Sequence, residues 1–263
     1  MPLQVVNNNK VESPEKLRVL AVSDLVEPQL YNSAVKEWLG QVDLIISCGD
    51  LPPGFLDFLM TMLDAPLVHV LGNHCYENFD PCEGGCLQGQ YLGAFDLNGR
   101  VAEHRGLILA GMEGSPLYNN GPHQYTEQQA AFNLLRLYPA LLREKIRSGR
   151  YLDVMVTHAP PLGIHDGSDV AHRGFKSLLG FIERFKPTLL LHGHTHRYYP
   201  MQPMRTKYGD TEIINVYGHV LLEFVRQGNG AWRLSQVLGL RDPGSASKAD
   251  AGPHSQVPNP YKD

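Results

Sequence analysis

Five short apolar runs in this chain stop on a polar group of one character, and that recurrence limits the fold more than any other feature. Leu17–Ser23 leads into Asp24, and Asp43–Cys48 leads into Gly49-Asp50. Leu67–Leu71 leads into Gly72-Asn73-His74, and Tyr151–Thr157 leads into His158. Thr188–Leu191 runs into His192-Gly193-His194-Thr195-His196. Runs of this length read as buried strands, as does a sixth, Leu107–Gly111. Helical patterns lie between them. Leu30, Ala34, Val35, Trp38 and Leu39 form a stripe closed by Gly40, and a second helix is expected over Phe55–Leu63. Thr126 and Gln129 have the spacing of a capping box, opening a helical stretch that breaks at Pro139 and resumes to Arg147. Phe175, Leu178, Leu179, Ile182 and Phe185 mark a fourth helix, stopped by Pro187. Thr211–Tyr217, Val220–Val225 and Ala231–Gln236 read as an antiparallel meander. The pattern predicts an α/β layered sandwich with mixed sheets. Ligands in open α/β sheets bind beyond the carboxyl ends of the strands, so the polar groups are expected to meet at one edge.

Composition narrows the classes further. Of 263 residues, 43% are apolar and 19% charged, a mix able to build a sizeable core. A net charge of −4 gives no basic face for coating nucleic acid. No apolar run approaches a bilayer span, which excludes an integral membrane protein of helical type. Residues 1–16 are read as a polar arm without the apolar segment of a signal peptide, and residues 17–240 as one domain. Residues 241–263 carry Pro243, Pro253, Pro258 and Pro260 with Val257 as their one branched aliphatic side chain, and are expected to form a disordered tail. Four cysteines do not make a disulfide scaffold, so a reducing, cytoplasmic setting is expected.

The strand ends collect Asp24, Asp50, Asn73, His158, His194 and His196. Carboxylate, amide oxygen and imidazole without thiolate suit manganese, iron or zinc, with magnesium as a further fit. His194 and His196 lie two apart, on one side of an extended chain. Any one such residue is ordinarily a cap or turn residue; five strands ending alike are not explained that way. Gly49, Gly72 and Gly193 precede members of the group, where a bare backbone can turn sharply and approach closely.

The ordered series resembles the calcineurin-like metallophosphoesterase superfamily, whose motifs run Asp-x-His, Gly-Asp, Gly-Asn-His, a lone His and Gly-His-x-His. Four of the five stand intact, as Gly49-Asp50, Gly72-Asn73-His74, His158 and Gly193-His194-Thr195-His196. The resemblance spans about residue 17 to 220. It implies two packed, mostly mixed β-sheets flanked by helices, and two divalent ions. It implies that Asp50 bridges the ions, that Asn73, His158 and His194 hold one, and that Asp24 and His196 hold the other. His74 would be the histidine near the leaving oxygen rather than a ligand, able to give it a proton or hydrogen bond. The first motif departs from the pattern, because Val26 stands where a histidine ligand is expected. On an extended strand end residues 24 and 26 share a side, so Val26 is expected to face the ion held by Asp24. One or two ions are therefore expected, the Asp24/His196 site being the weaker. Glu27 replaces the missing ligand only if the chain turns there.

Three loops, Cys75–Gln90, Met112–Tyr125 and Ala159–His172, are expected to surround the cluster. His165, Asp166 and Arg173 are candidate phosphate or sugar contacts. Cys75, Cys82 and Cys86 are taken as free thiols, Cys48 as core, and His69, His104 and His219 as structural. Glu77, Asp80 and Glu83 stand in a loop without Lys or Arg, which argues against a track for long nucleic acid. The expected function is divalent-metal-dependent hydrolysis of a small phosphoester by metal-activated water. A diester is slightly favoured, because the ligand set resembles the small bacterial phosphodiesterase-like branch of that superfamily and no dedicated basic pocket for a dianionic monoester is evident. The alternative is a non-catalytic binding or scaffold protein on the same fold with a weakened first metal site. The sequence leaves the oligomeric state open.

Overall fold

The computed structural model describes residues 15–74, 93–196 and 203–239. The expected polar arm through residue 14, the loop with Cys75, Cys82 and Cys86, and the expected tail lie outside the described residues. The first part of the chain alternates strands and helices: β1 (Lys16–Ser23), α1 (Val35–Leu39), β2 (Leu44–Ser47), α2 (Pro53–Leu63), β3 (Leu67–His69) and β4 (Phe95–Asp96). Next come β5 (Val101–His104), β6 (Leu107–Met112), β7 (Ser115–Pro116), β8 (Gln124–Tyr125), α3 (Glu127–Leu135), α4 (Tyr138–Ser148) and β9 (Val154–Thr157). The last elements are α5 (Lys176–Phe185), β10 (Leu189–His192), β11 (Arg205–Tyr208), β12 (Thr211–Asn215), β13 (Gly218–Arg226) and β14 (Trp232–Leu238).

Two six-stranded sheets result, ordered β14-β13-β1-β2-β3-β4 and β11-β12-β10-β9-β6-β5. Strands β1 to β4 are mutually parallel, and so are β12, β10, β9 and β6, with antiparallel strands on the flanks. Side chains alternate faces along each strand. Leu17, Val19 and Ala21 of β1 therefore join Val154 and Val156 of β9 and Leu189 and Leu191 of β10 in one apolar layer between the sheets. The intervening Leu20, Val22 and Ile45 meet Val35, Leu39, Phe55 and Leu59 of α1 and α2. On the second sheet Met155 and Leu190 meet Leu134, Leu141, Leu178 and Ile182 of α3 to α5. Both faces of both sheets are thus covered, which is why the central strands read as unbroken apolar runs. Each such leucine or valine contributes roughly 1.5–3 kcal/mol by leaving water. The architecture is the expected α/β sandwich of two mixed sheets flanked by helices. Among the described residues no helix is long and apolar enough to cross a membrane.

Local departures have identifiable causes. The stripe from Leu30 becomes helix only from Val35, because the Asn32 side chain takes the Ala34 amide at 2.9 Å and competes with the first helical turn. The break between α3 and α4 falls before Tyr138 rather than at Pro139, which sits in the first turn of α4 where a missing N–H costs nothing. The expected meander divides between the sheets. Strand β12 runs parallel to β10 in the second sheet, whereas β13 lies antiparallel to β1 in the first, so only β13 and β14 form a hairpin. Gly218 opens β13 at φ 86°, just after the chain has crossed from one sheet to the other.

Candidate metal centre

The parallel strands of both sheets end at one edge, and the backbone there is strained. Asp24, Asp50 and His194 adopt φ values of 62°, 54° and 65°, a left-handed region that side-chain-bearing residues rarely enter. The Leu25 amide returns to the Ser23 carbonyl at 2.6 Å and the Thr195 amide to the Gly193 carbonyl at 2.7 Å, closing three-residue turns centred on Asp24 and His194. Strand alternation stops at these turns. Space explains two of the neighbouring glycines. A Cβ on Gly72 would lie 1.9 Å from Oδ1 of Asp50, and one on Gly193 would lie 2.0 Å from Oγ of Ser23 and 2.3 Å from Oδ2 of Asp24.

The side chains meet across the two sheets. Asp24, Asp50 and Asn73 come from the ends of β1, β2 and β3; His158, His194 and His196 come from β9 and β10. Donor atoms of Asp50, His158 and His194 all lie within 4.8 Å of one another. Nε2 of His158 is 3.2 Å from Oδ2 of Asp50 and 3.1 Å from Oδ1 of Asn73. The His194 amide donates to both carboxylate oxygens of Asp24, at 3.1 and 3.0 Å, and Nε2 of His196 lies 3.8 Å from Asp24 Oδ1. The Asp24 carboxylate is almost fully enclosed, its side chain 1% exposed.

Backbone carbonyls set the histidine tautomers. Nδ1 of His158 donates to the Cys48 carbonyl at 2.8 Å, and Nε2 of His194 donates to the Ala171 carbonyl at 2.7 Å. A carbonyl can only accept, so the neutral rings carry their lone pairs on Nε2 of His158 and Nδ1 of His194. The His158 lone pair then faces two oxygens that are also acceptors. That conflict needs a positive charge. Without a cation, protonation of His158 resolves it: burial opposes its charge, but Asp50, Asp24 and the Cys48 carbonyl outweigh burial and raise the imidazole to about 9. Burial likewise opposes ionisation of Asp50, yet His158 and His74 hold its carboxyl at about 2. Burial pushes the Asp24 carboxyl up, with Asp50 adding to the effect despite the nearby imidazoles. Burial and the His158 charge hold His194 at about 3, so that ring is neutral. A dense set of O and N acceptors, poor in donors, fits a divalent cation.

The remaining expected residues fall in different places. His74 is exposed while Asn73 is buried, so the two side chains diverge, and the His74 backbone amide donates to Asp50 at 3.0 Å. Val26 does not share a side with Asp24. The turn at Asp24 ends the strand, and Val26 packs with the apolar cluster beneath α1 and α2. Glu27 does follow a turn, but its carboxylate pairs with His219 of β13. His165 is directed inward, bonded to His192 at 3.0 Å and Thr206 at 2.7 Å, so both ring nitrogens are taken by protein rather than left for substrate. Asp166 accepts the Gly174 amide at 3.1 Å, and Arg173 is exposed. Two partners carried no motif. The Tyr118 hydroxyl accepts from Asn73 Nδ2 at 3.1 Å, which turns Oδ1 of Asn73 toward His158. The Ala171 carbonyl is backbone, and no residue type marks it.

A model of the calcineurin-like phosphoesterase family matches residues 17–198, well over half of the chain. Among curated proteins none matches. Similar solved structures include TT1561 of Thermus thermophilus, 15% identical with a TM-score of 0.54, covering 79% of this chain and 94% of that one. They also include GAP50, the anchor in the inner membrane complex of Plasmodium, 16% identical with a TM-score of 0.47 over 81% and 82% of the two chains. An archaeal phosphodiesterase is 15% identical with a TM-score of 0.36 over 84% and 100%. At this identity the likeness to TT1561 speaks for the fold alone.

Proposed function

The chain belongs to the calcineurin-like phosphoesterase family, and from that premise we propose that it hydrolyses a small phosphoester, preferably a diester, with divalent metal. The observation that carries this reading is the convergence of ligand atoms of Asp50, His158 and His194 within 4.8 Å of one another at a buried strand edge, with Oδ1 of Asn73 3.1 Å from Nε2 of His158. Asp50, Asn73, His158 and His194 would hold one ion, and Asp24 with His196 would share Asp50 in holding a second. When bound, such ions supply a water of lowered pKa and offset the charge of the phosphate oxygens. Manganese, iron and zinc suit the donor set best, and magnesium is a further fit. The Asp24/His196 side has fewer donors and takes its ion more weakly.

The chain's own residues perform the rest. The Cys48 and Ala171 carbonyls hold the two imidazoles in ligating tautomers, and Tyr118 holds the Asn73 amide. His74, exposed beside the cluster, donates a proton or hydrogen bond to the departing oxygen. A singly charged diester is favoured over a dianionic monoester because the side-chain contacts of Asp50, Asn73 and His158 run to one another, to Tyr118 and to backbone. The exposed Arg173 remains a candidate phosphate contact. A small substrate rather than a long nucleic acid fits the net charge of −4. The buried free thiol of Cys48 is compatible with a reducing, cytoplasmic setting.

A panel of aryl diesters, cyclic nucleotides and phosphomonoesters, assayed with manganese, iron, zinc or magnesium, tests the proposal. Faster turnover of a diester than of its monoester counterpart is expected. Metal-loaded protein that cleaves none of them would overturn it in favour of a binding or scaffold role.

A further inference from the structure

The turn that presents His194 is held from behind by a line of side chains outside the ligand set. Nδ1 of His192 lies 3.0 Å from the Gly193 carbonyl oxygen. Nε2 of the same ring lies 3.0 Å from Nδ1 of His165, whose own Nε2 lies 2.7 Å from Oγ1 of Thr206. With both rings neutral, only one arrangement of protons satisfies the three contacts. The carbonyl can only accept, so His192 donates through Nδ1 and keeps its lone pair on Nε2. His165 must then donate through Nδ1, and its Nε2 must accept from the Thr206 hydroxyl. The His192 ring is fully buried between a backbone carbonyl and another imidazole, neither of which offsets a charge, and burial holds His165 at about 4.

The line links three segments. Thr206 stands on the edge strand β11, opposite Ile213 of β12. His165 belongs to the loop that also supplies the Ala171 carbonyl bonded to Nε2 of His194. His192 is the last residue of β10 and is fully buried. At the other end of the turn, Nδ2 of Asn215 donates to the Thr195 carbonyl at 2.7 Å. The strained residue, His194 at φ 65°, is thus flanked by two tethered carbonyls.

We infer that Thr206, His165 and His192 are positioning residues for His194, a directional hydrogen-bond chain that fixes the Gly193 carbonyl and so the turn that aims Nδ1 of His194 at the cluster. This rests on His194 being a metal ligand. Removal of the Thr206 hydroxyl leaves the His165 acceptor unpaired. If that ring exchanges its proton to Nε2, two lone pairs face each other across the His165–His192 contact and the line breaks. Partners that orient ligating histidines are typically worth about 10–100-fold in metal affinity.

The test compares the full chain with Thr206→Val, which keeps the shape and loses the hydroxyl, and Thr206→Ser, which keeps the hydroxyl. Nitrogen-15 NMR of the metal-free proteins reads the imidazole tautomers, and calorimetry with Mn2+ alone reads affinity. The wild type should show His165 and His192 both protonated on Nδ1. Thr206→Val should lose that pattern at His165 and bind the tighter Mn2+ about 10-fold more weakly, while Thr206→Ser should match the wild type in both readouts. Either ring protonated on Nε2 in the wild type would overturn the inference, a result that needs no metal and no folded variant. So would a Thr206→Val protein with wild-type Mn2+ affinity, or a Thr206→Ser protein as weak as Thr206→Val. A wild type with the expected tautomers but no Mn2+ uptake would overturn the metal reading itself and the positioning role with it.

Discussion

At Gly72 a methyl group would sit 1.9 Å from Oδ1 of Asp50 and 2.8 Å from Cε1 of His158. The backbone there accepts an L-residue, so the glycine is required by space and not by its torsion angle. Gly72→Ala should therefore displace the Asp50 carboxylate, lose metal measured by elemental analysis, and destabilise the fold by roughly 1–3 kcal/mol, the usual cost of overpacking. Unchanged metal content would mean that Asp50 can move without consequence. His74 calls for a different outcome, because its side chain is exposed and diverges from Asn73. His74→Ala should retain its metal while kcat falls about 10²–10⁴-fold, the usual loss of one general acid. Loss of metal with normal turnover per remaining ion would make His74 a ligand instead. The expectation for Val26 failed because it assumed an extended chain through residue 26. Nothing in the residue types marks Asp24 as the centre of a left-handed turn.

The central strands were legible because both of their faces are covered. β1, β2, β6, β9 and β10 lie under helices on one side and the opposite sheet on the other, and each shows as an apolar run. β11 does not, because Arg205–Tyr208 is an edge strand built of residues with polar groups, exposed and half-buried in alternation. The crossing between β12 and β13 was illegible for another reason: adjacent apolar runs have the same local pattern whether they pair or part. Helix α3 was marked by chemistry more than by periodicity. The Thr126 amide donates to Gln129 Oε1 at 2.8 Å, and the Gln129 amide donates to Thr126 Oγ1 at 3.3 Å. Thr126→Ala should cost about 1 kcal/mol in urea unfolding without changing bound metal. A loss near zero would mean that α3 is held by its packed face alone.

For the whole molecule, the cluster was legible as a set because strand ends far apart in sequence share one edge; its supports, Tyr118, the Ala171 carbonyl and the His165–His192–Thr206 line, carry no motif. Acid stability is a property of the whole chain. Burial holds His69 at about 4, although Asp96 and Glu113 favour its charged form. The unfolded chain takes up that proton below about pH 6.5, whereas the native protein does so only near 4. Stability should fall as pH drops through that window, by about 3 kcal/mol for this one group. Denaturant unfolding of the metal-free protein from pH 7 to 4 measures the slope, and His69→Leu should flatten part of it; an identical slope would assign the acid sensitivity elsewhere.

The central claim is that the cluster of Asp24, Asp50, Asn73, His158, His194 and His196 is a metal site whose ions are needed for phosphoester hydrolysis. It is tested most directly by stripping the protein with chelator, restoring Mn2+ stepwise, and measuring bound metal and bis(4-nitrophenyl) phosphate hydrolysis on the same samples. The account predicts no turnover in the stripped protein, recovery in proportion to bound Mn2+, and neither uptake nor recovery in a folded His158→Ala protein. Hydrolysis that persists at full rate with no metal detected, or a His158→Ala protein that binds and turns over like the wild type, would contradict it.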